Sequence, residues 1–189
     1  MNIEFATIIN NKPTYFVEKI WNGLFDLELV ENNDSEEASC EDVSYLIEYR
    51  EKYKDHNQTV FNDNMGFINS KIHTIRTDKE NKLKVGQYFI PVIDNRENGF
   101  YQFAPKLKIE CIQKISLTYI HGNNCFPLVM LKTEEGELIK ELSPIHHFNY
   151  ITELDRIAKN SGFNSEKEFL KFFRKTGERK IIHWTNFKY

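Results

Sequence analysis

Lys71-Ile72-His73-Thr74-Ile75-Arg76 is the stretch on which the reading of this chain turns. β-Branched residues alternate there with polar ones, as in a strand whose side chains point to opposite faces in turn. On that period Ile72, Thr74 and Arg76 share one face, and Lys71, His73 and Ile75 share the other. Neither face is wholly apolar. The strand therefore sets a lysine, a hydroxyl and a guanidinium on a rigid element able to aim them at an anion or a carbonyl. The simpler explanation is an edge strand, since sheet edges carry Lys and Arg to discourage unwanted pairing.

Downstream, short apolar runs separated by turn residues predict more strands: Tyr88 to Ile93 after Gly86, Phe100 to Phe103 after Asn98-Gly99, and a long, bending strand from Lys106 to Tyr119. Phe126 to Lys132 and Glu137 to Leu142 flank Glu135-Gly136 as a hairpin. Two helices are expected next, Phe148 to Asn160 and Ser165 to Lys175, separated by Gly162, with Ser165 and Glu168 spaced as a capping box. A last strand, Lys180 to Trp184, returns to the sheet. Upstream, Ile3 to Ile9 reads as a strand and Asn10 to Pro13 as a turn. A helix follows from Thr14 to Trp21, with Gly23 as its stop. After an acidic loop from Glu31 to Glu37, Ser39 and Asp42 are candidate caps for a helix with Val43, Leu46, Ile47 and Tyr53 on one side. The pattern predicts an α+β protein built on a small mixed β-barrel with flanking helices.

A length of 189 residues suits one domain, or one domain with an extension, since a domain takes roughly 100 to 200 residues. With 15 Phe, 9 Tyr and 2 Trp the chain has ample material for a core, which excludes general disorder. The net charge of −3 conceals an asymmetry. Residues 1–60 hold 5 Lys and Arg against 13 Asp and Glu, net −8; residues 61–189 hold 20 against 15, net +5. We therefore expect an acidic N-terminal strand–helix extension, residues 1–60, packed on the same domain as a mildly basic barrel, residues 61–189. No run approaches the roughly 20 apolar residues of a membrane span, and Met1 to Phe5 lacks the features of a signal peptide, so a cytoplasmic location is expected.

Cys40, Cys111 and Cys125 have no metal-like spacing. His121 with Cys125, and the adjacent His146 and His147, lack a CxxC or HExxH partner, so no metal and no cofactor are expected. Gly-rich phosphate loops and a G-x-S-x-G elbow are missing, which removes the common nucleotide and serine hydrolases. The run Lys79 to Lys84 reads as a solvated turn whose alternative use is to flank a nucleic-acid groove. Lys167, Lys171, Arg174 and Lys175, at near three and four spacing on a helix, are candidates for the same basic surface. In the tail Lys180 to Thr185, Trp184 is either a core filler or a stacking platform for a base, with His183 a candidate acid or base beside it.

The Lys71-x-x-Thr74-x-Arg76 core, the Gly86 turn and the Gly162-Phe163 junction together resemble an ASCH domain, a member of the PUA-like superfamily. The resemblance covers roughly residues 65–189. The Ile-His-Trp-Thr tail and the opening Lys12 to Ile20 are similar to a phage and gut-bacterial subgroup with an N-terminal extension. The resemblance implies a barrel cleft suited to RNA or a modified nucleoside. In small bacterial members that deacetylate N4-acetylcytidine, a lysine, a threonine and a glutamate are implicated. Lys71 and Thr74 fall on the first two positions, while Ser161 stands at the third and Leu83 replaces a tryptophan before the Gly86 turn.

Three functional expectations follow. The first is a binding module for RNA or a nucleotide, with Lys71, His73, Thr74, Arg76, His183 and Trp184 around the cleft. The second is an amidohydrolase acting on an acylated nucleoside. There Thr74 would be the nucleophile, a desolvated Lys71 the base and Arg76 the oxyanion donor. The third is a protein-interaction module in which acidic residues 1–60 cover the cleft.

Overall fold

The computed structural model describes residues 1–9, 11–29, 41–53, 69–95, 99–119, 127–142 and 152–189. In chain order they form β1 (Asn2–Glu4), β2 (Ile8–Ile9), β3 (Lys12–Pro13), α1 (Phe16–Asp26), α2 (Glu41–Lys52), β4 (His73–Arg76), β5 (Tyr88–Asn95), β6 (Gly99–Gln102), β7 (Leu107–Lys108), β8 (Cys111–Thr118), β9 (Leu128–Lys132), β10 (Leu138–Leu142), α3 (Glu153–Asn160), α4 (Glu166–Phe172) and β11 (Gly177–His183). The protein is thus α+β. Its contacts divide it into two compact units, Met1–Ile72 with Tyr88–Lys108, and His73–Gln87 with Ile109–Tyr189. Among the described residues no helix is long and apolar enough to cross a membrane.

In the first unit β5 is the hub of a mixed sheet, pairing parallel with β1 and antiparallel with β6 and β7. The single strand expected over Ile3 to Ile9 is two short ones; β2 leaves the sheet to pair with β3 around a left-handed Asn11. Helix α1 forms because Val17, Ile20, Trp21 and Leu24 recur on one face, and all four are buried. The Trp21 indole N–H is satisfied by the Phe103 carbonyl at 3.0 Å. Gly23 does not stop this helix, contrary to expectation: α1 runs on to Asp26. A Cβ at Gly23 would lie 2.8 Å from the Lys71 carbonyl oxygen, so the glycine allows close backbone approach rather than termination. On α2, Leu46 and Tyr49 are buried whereas Ile47 is 51% exposed, so the buried stripe excludes Ile47.

The second unit holds a five-stranded sheet in the order β10-β9-β8-β11-β4, with every neighbour antiparallel. The long strand expected from Lys106 breaks at Ile109-Glu110 into β7 and β8. Strands β10 and β4 end this order, so among the described residues no pairing closes the sheet into a barrel. One face carries Ile75, Ile115, Leu117, Leu131 and Ile181 against Leu154 and Ile157 of α3 and Phe169 of α4. Each fully buried side chain of this size is worth about 1.5–3 kcal/mol, so this face is the main source of the unit's stability.

The cap expected at Ser165 is present, whereas α3 is capped at Thr152, a residue the sequence reading did not single out. Thr152 Oγ1 accepts from the Asp155 N–H, and Ser165 Oγ accepts from the Glu168 N–H. Helix α3 ends in a Schellman arrangement: Gly162 at φ 90° lets its N–H reach the Lys159 carbonyl, and Phe163 N–H reaches that of Ala158. Helix α4 stops at Phe172 because Phe173 turns into an aromatic cluster with Phe169, 4.8 Å between ring centroids. The expected basic stripe is therefore cut short, and Arg174 donates to the Lys171 carbonyl at the helix end. Cys40, His121, Cys125, His146, His147, the run Glu31 to Glu37 and residues 148–151 lie outside the described residues.

Candidate functional site

The two faces of β4 are set by its pairing with β11: His73 opposite His183, Thr74 opposite Ile182, Ile75 opposite Ile181 and Arg76 opposite Lys180. Ile75 and Ile181 belong to the core under α3 and α4. The opposite face carries Thr74, Arg76, Ile182 and Lys180. Strand β8 continues it with Lys114, which is opposite Lys180, and β9 with Lys132, which is opposite Lys114. Arg76, Lys180, Lys114 and Lys132 therefore form one transverse row across four adjacent strands. Three like-charge pairs stand directly opposite one another, an arrangement that costs stability unless it is compensated.

Compensation comes from two carboxylates. Glu178 accepts from Lys132 Nζ at 3.0 Å and Ser116 Oγ at 3.2 Å and lies 4.0 Å from Lys114 Nζ. The Lys132 hydrogen bond, helped by Ser116 and Lys114, holds the Glu178 carboxyl below its ordinary range against the opposing effect of burial. Asp78 Oδ2 is 2.9 Å from Lys180 Nζ, and both side chains are largely buried. Burial alone would raise the Asp78 carboxyl, but the N–H groups of Leu83 and Lys82 and the Lys180 ammonium keep it lowered. Lys180 also donates to Asn81 Oδ1 and to the Leu83 carbonyl, so its three protons have three acceptors. That lysine fastens the loop from Asp78 to Leu83 to β11, and it has no donor left over for a ligand.

A cleft of about 290 Å³ opens here, lined by Asp78, Lys79, Asn81, Lys114, Glu178 and Lys180 among others. It is near the lower end of the size range of small-molecule sites. The run Lys79 to Lys84, read from sequence as a solvated turn or groove flank, thus contributes Lys79 and Asn81 to a cleft wall.

On the core face His73 and His183 are fully buried, with ring centroids 5.0 Å apart. His73 Nε2 meets Ser161 Oγ at 2.7 Å and its Nδ1 meets Tyr189 Oη at 3.3 Å. Asn160 Nδ2 donates to the same Tyr189 oxygen at 2.9 Å, and burial pushes the Tyr189 phenol up. Ser161, the residue at the third ASCH position, is therefore a helix C-cap joined to β4 through His73. Neither ring nitrogen of His183 has a hydrogen-bond partner among the described residues. Burial, and secondarily the charge of Lys188, push its pKa down to about 4. A histidine held neutral down to that pH is a poor proton shuttle near neutrality. Trp184 is 3% exposed and fills the interior.

In the first unit, Lys71 is 2% exposed. Its N–H donates to the Lys19 carbonyl on α1 at 2.8 Å, and its ammonium lies 4.6 Å from the centre of the Phe16 ring. Glu18, also on α1, is 2% exposed and accepts from Tyr49 Oη at 3.3 Å; burial raises its carboxyl.

Of the residues singled out from sequence, Thr74, Arg76, His73 and His183 share the β4–β11 pair, split between its two faces, with Trp184 one residue beyond β11. Lys71 falls in the other unit. Sequence reasoning missed Lys114, Lys132, Glu178 and Glu18. Period two puts Lys114 and Ser116 on one face of a predicted strand, but which strands neighbour each other is a tertiary fact. Among the described residues no group of His, Cys, Asp and Glu is placed to hold a metal. A scan against protein-family models and searches of curated proteins and of solved structures matched nothing.

Proposed function

We propose that this chain is an RNA- or nucleotide-binding module of the cytoplasm, a PUA-like fold in which the polar sheet face of the second unit engages phosphate. The observation that carries this reading is the row Arg76, Lys180, Lys114 and Lys132, where four cations meet two carboxylates beside an open cleft. Cations aligned at cross-strand spacing repel one another, and an anionic ligand relieves that repulsion. Lys180 and Asp78 fix the cleft wall, Lys79 and Lys114 supply positive charge along it, and Arg76 extends the cation row onto β4. The ASCH resemblance supports the same ligand class. The test is a titration of the purified chain with single-stranded RNA, duplex RNA and modified cytidines at two salt concentrations. Salt-sensitive binding of RNA is the expected result; no binding of any of these at low salt would sink the reading.

A second reading, an amidohydrolase acting on an acylated nucleoside such as N4-acetylcytidine, is favoured by one observation. Lys71 and Glu18, the latter on α1, are both buried, and burial raises the Glu18 carboxyl above its ordinary value. The third motif position, Ser161, supplies no carboxylate for this chemistry. Release of acetate from N4-acetylcytidine, lost in Glu18→Gln, is the result this reading requires. No turnover beside an active control enzyme removes it.

A further inference from the structure

Resting on the phosphate-binding reading above, we propose that Glu178 is an internal stand-in for the ligand's phosphate. In the free protein its carboxylate fills a cradle made by Lys114, Ser116 and Lys132, and the ligand's phosphate takes its place. Ser116 and Glu178 are cross-strand partners, and Lys114 and Lys132 are partners in the neighbouring row. Two ammonium groups and a hydroxyl thus converge on one carboxylate, at 4.0, 3.0 and 3.2 Å. That donor set also suits a phosphoryl group, which brings up to two negative charges and three acceptor oxygens where the carboxylate brings one charge and two oxygens.

The exposures fit displacement. Glu178 is 44% exposed at its side chain, while Lys114 and Lys132 are 24% and 23% exposed. The carboxylate is the more solvent-accessible partner, and a side-chain rotation vacates the cradle without moving β11. Ion pairs with this much solvent contact contribute little net stability, so the displacement is inexpensive. Glu178 also lines the cleft together with Lys114, which gives a phosphate entering there a route to the cradle. Exposed Glu135, in the β9–β10 turn, feels the charge of Lys114 but has no hydrogen bond to the cradle lysines among the described contacts. Glu178 would then set selectivity: a ligand must carry enough charge to displace it, which favours phosphorylated nucleosides over neutral ones.

The test uses the full chain, with inorganic pyrophosphate, cytidine 5′-monophosphate and cytidine as probes. Glu178→Gln keeps the side-chain length and an oxygen for Ser116 but removes the competing charge. It should tighten pyrophosphate and cytidine monophosphate binding about tenfold and leave cytidine unchanged. Lys132→Met should weaken both phosphate probes about tenfold. Glu178→Asp, which retains the charge and withdraws it by one methylene, should fall between wild type and Glu178→Gln. The stand-in role is overturned if wild type binds the phosphate probes and a folded Glu178→Gln binds them no better. If RNA is bound with Arg76 dependence while neither phosphate probe competes, the stand-in role fails and the nucleic-acid reading survives. If no RNA and no phosphate probe binds to any variant, both fail.

Discussion

The backbones of Gly23 and Lys71 touch: a Cβ placed on Gly23 would lie 2.8 Å from the Lys71 carbonyl oxygen and 3.3 Å from Ile72 Cγ2. Helix propensity alone would make Gly23→Ala stabilising by about 1 kcal/mol. The neighbouring atom is backbone, however, and is held by the hydrogen bond from Lys71 N–H to the Lys19 carbonyl, so it cannot turn aside as a side chain would. We expect Gly23→Ala to destabilise the chain by roughly 1–3 kcal/mol, the usual cost of overpacking. The urea midpoint reports it, and a midpoint at or above wild type would show that the contact relaxes freely.

Stability should depend on pH through His183. The group titrates near 6.5 when unfolded and at about 4 in the folded protein. Between those values the unfolded chain binds more protons, so stability falls as pH falls. The contribution is complete above about 6.5 and lost by about 4, with a total of roughly 3 kcal/mol. Denaturation midpoints measured from pH 7.5 to 4 should slope less steeply in His183→Leu than in wild type. Superimposable slopes would mean that some other group carries the acid sensitivity.

The local features were legible in the sequence because they are encoded within a few residues. The Ser165–Glu168 spacing, the Gly162 stop and the alternation through His73-Thr74-Ile75 each follow from backbone geometry acting over one turn or one pleat. Gly23 misled because a glycine that ends a helix and a glycine that admits a neighbouring backbone look alike until the neighbour is in place. The cation row was hidden for a related reason. Arg76, Lys114, Lys132 and Lys180 are spread over 105 positions of the chain and become neighbours only when β11 inserts between β8 and β4. Ile47 lies outside the buried stripe of α2 because the apolar residues of that helix fall on more than one side, and Leu46 and Tyr49 take the packed one.

Lys180→Met should cost more than a surface lysine would. It leaves Asp78 with its Lys82 and Leu83 N–H donors but without the ammonium, and it frees Asn81 and the Leu83 carbonyl from a common partner. The expected loss is roughly 3 kcal/mol, the lower end of the range for a broken buried pair because this one borders a cleft. The double variant Asp78→Asn with Lys180→Met should recover part of that loss. A purely additive double variant would show that the two groups do not act as a pair.

Arg76 offers the most direct test of the sheet face as a phosphate surface. It stands opposite Lys180 at the edge strand of the row, and Lys180 is saturated by its own acceptors. Arg76 carries the row onto β4, where its substitution leaves the Lys180 contacts with Asp78, Asn81 and Leu83 in place. Arg76→Ala should weaken RNA binding at low salt and lower the slope of log affinity against log salt by about 1, the change expected for one lost phosphate contact. Lys167→Ala, on the exposed side of α4, is the control and should change neither by more than a small amount. Its basic character equals that of Arg76 for a protein that binds nucleic acid through net charge alone. Equal effects of the two substitutions would therefore replace a defined site with diffuse attraction, and an unchanged affinity in Arg76→Ala would remove β4 from the interface altogether.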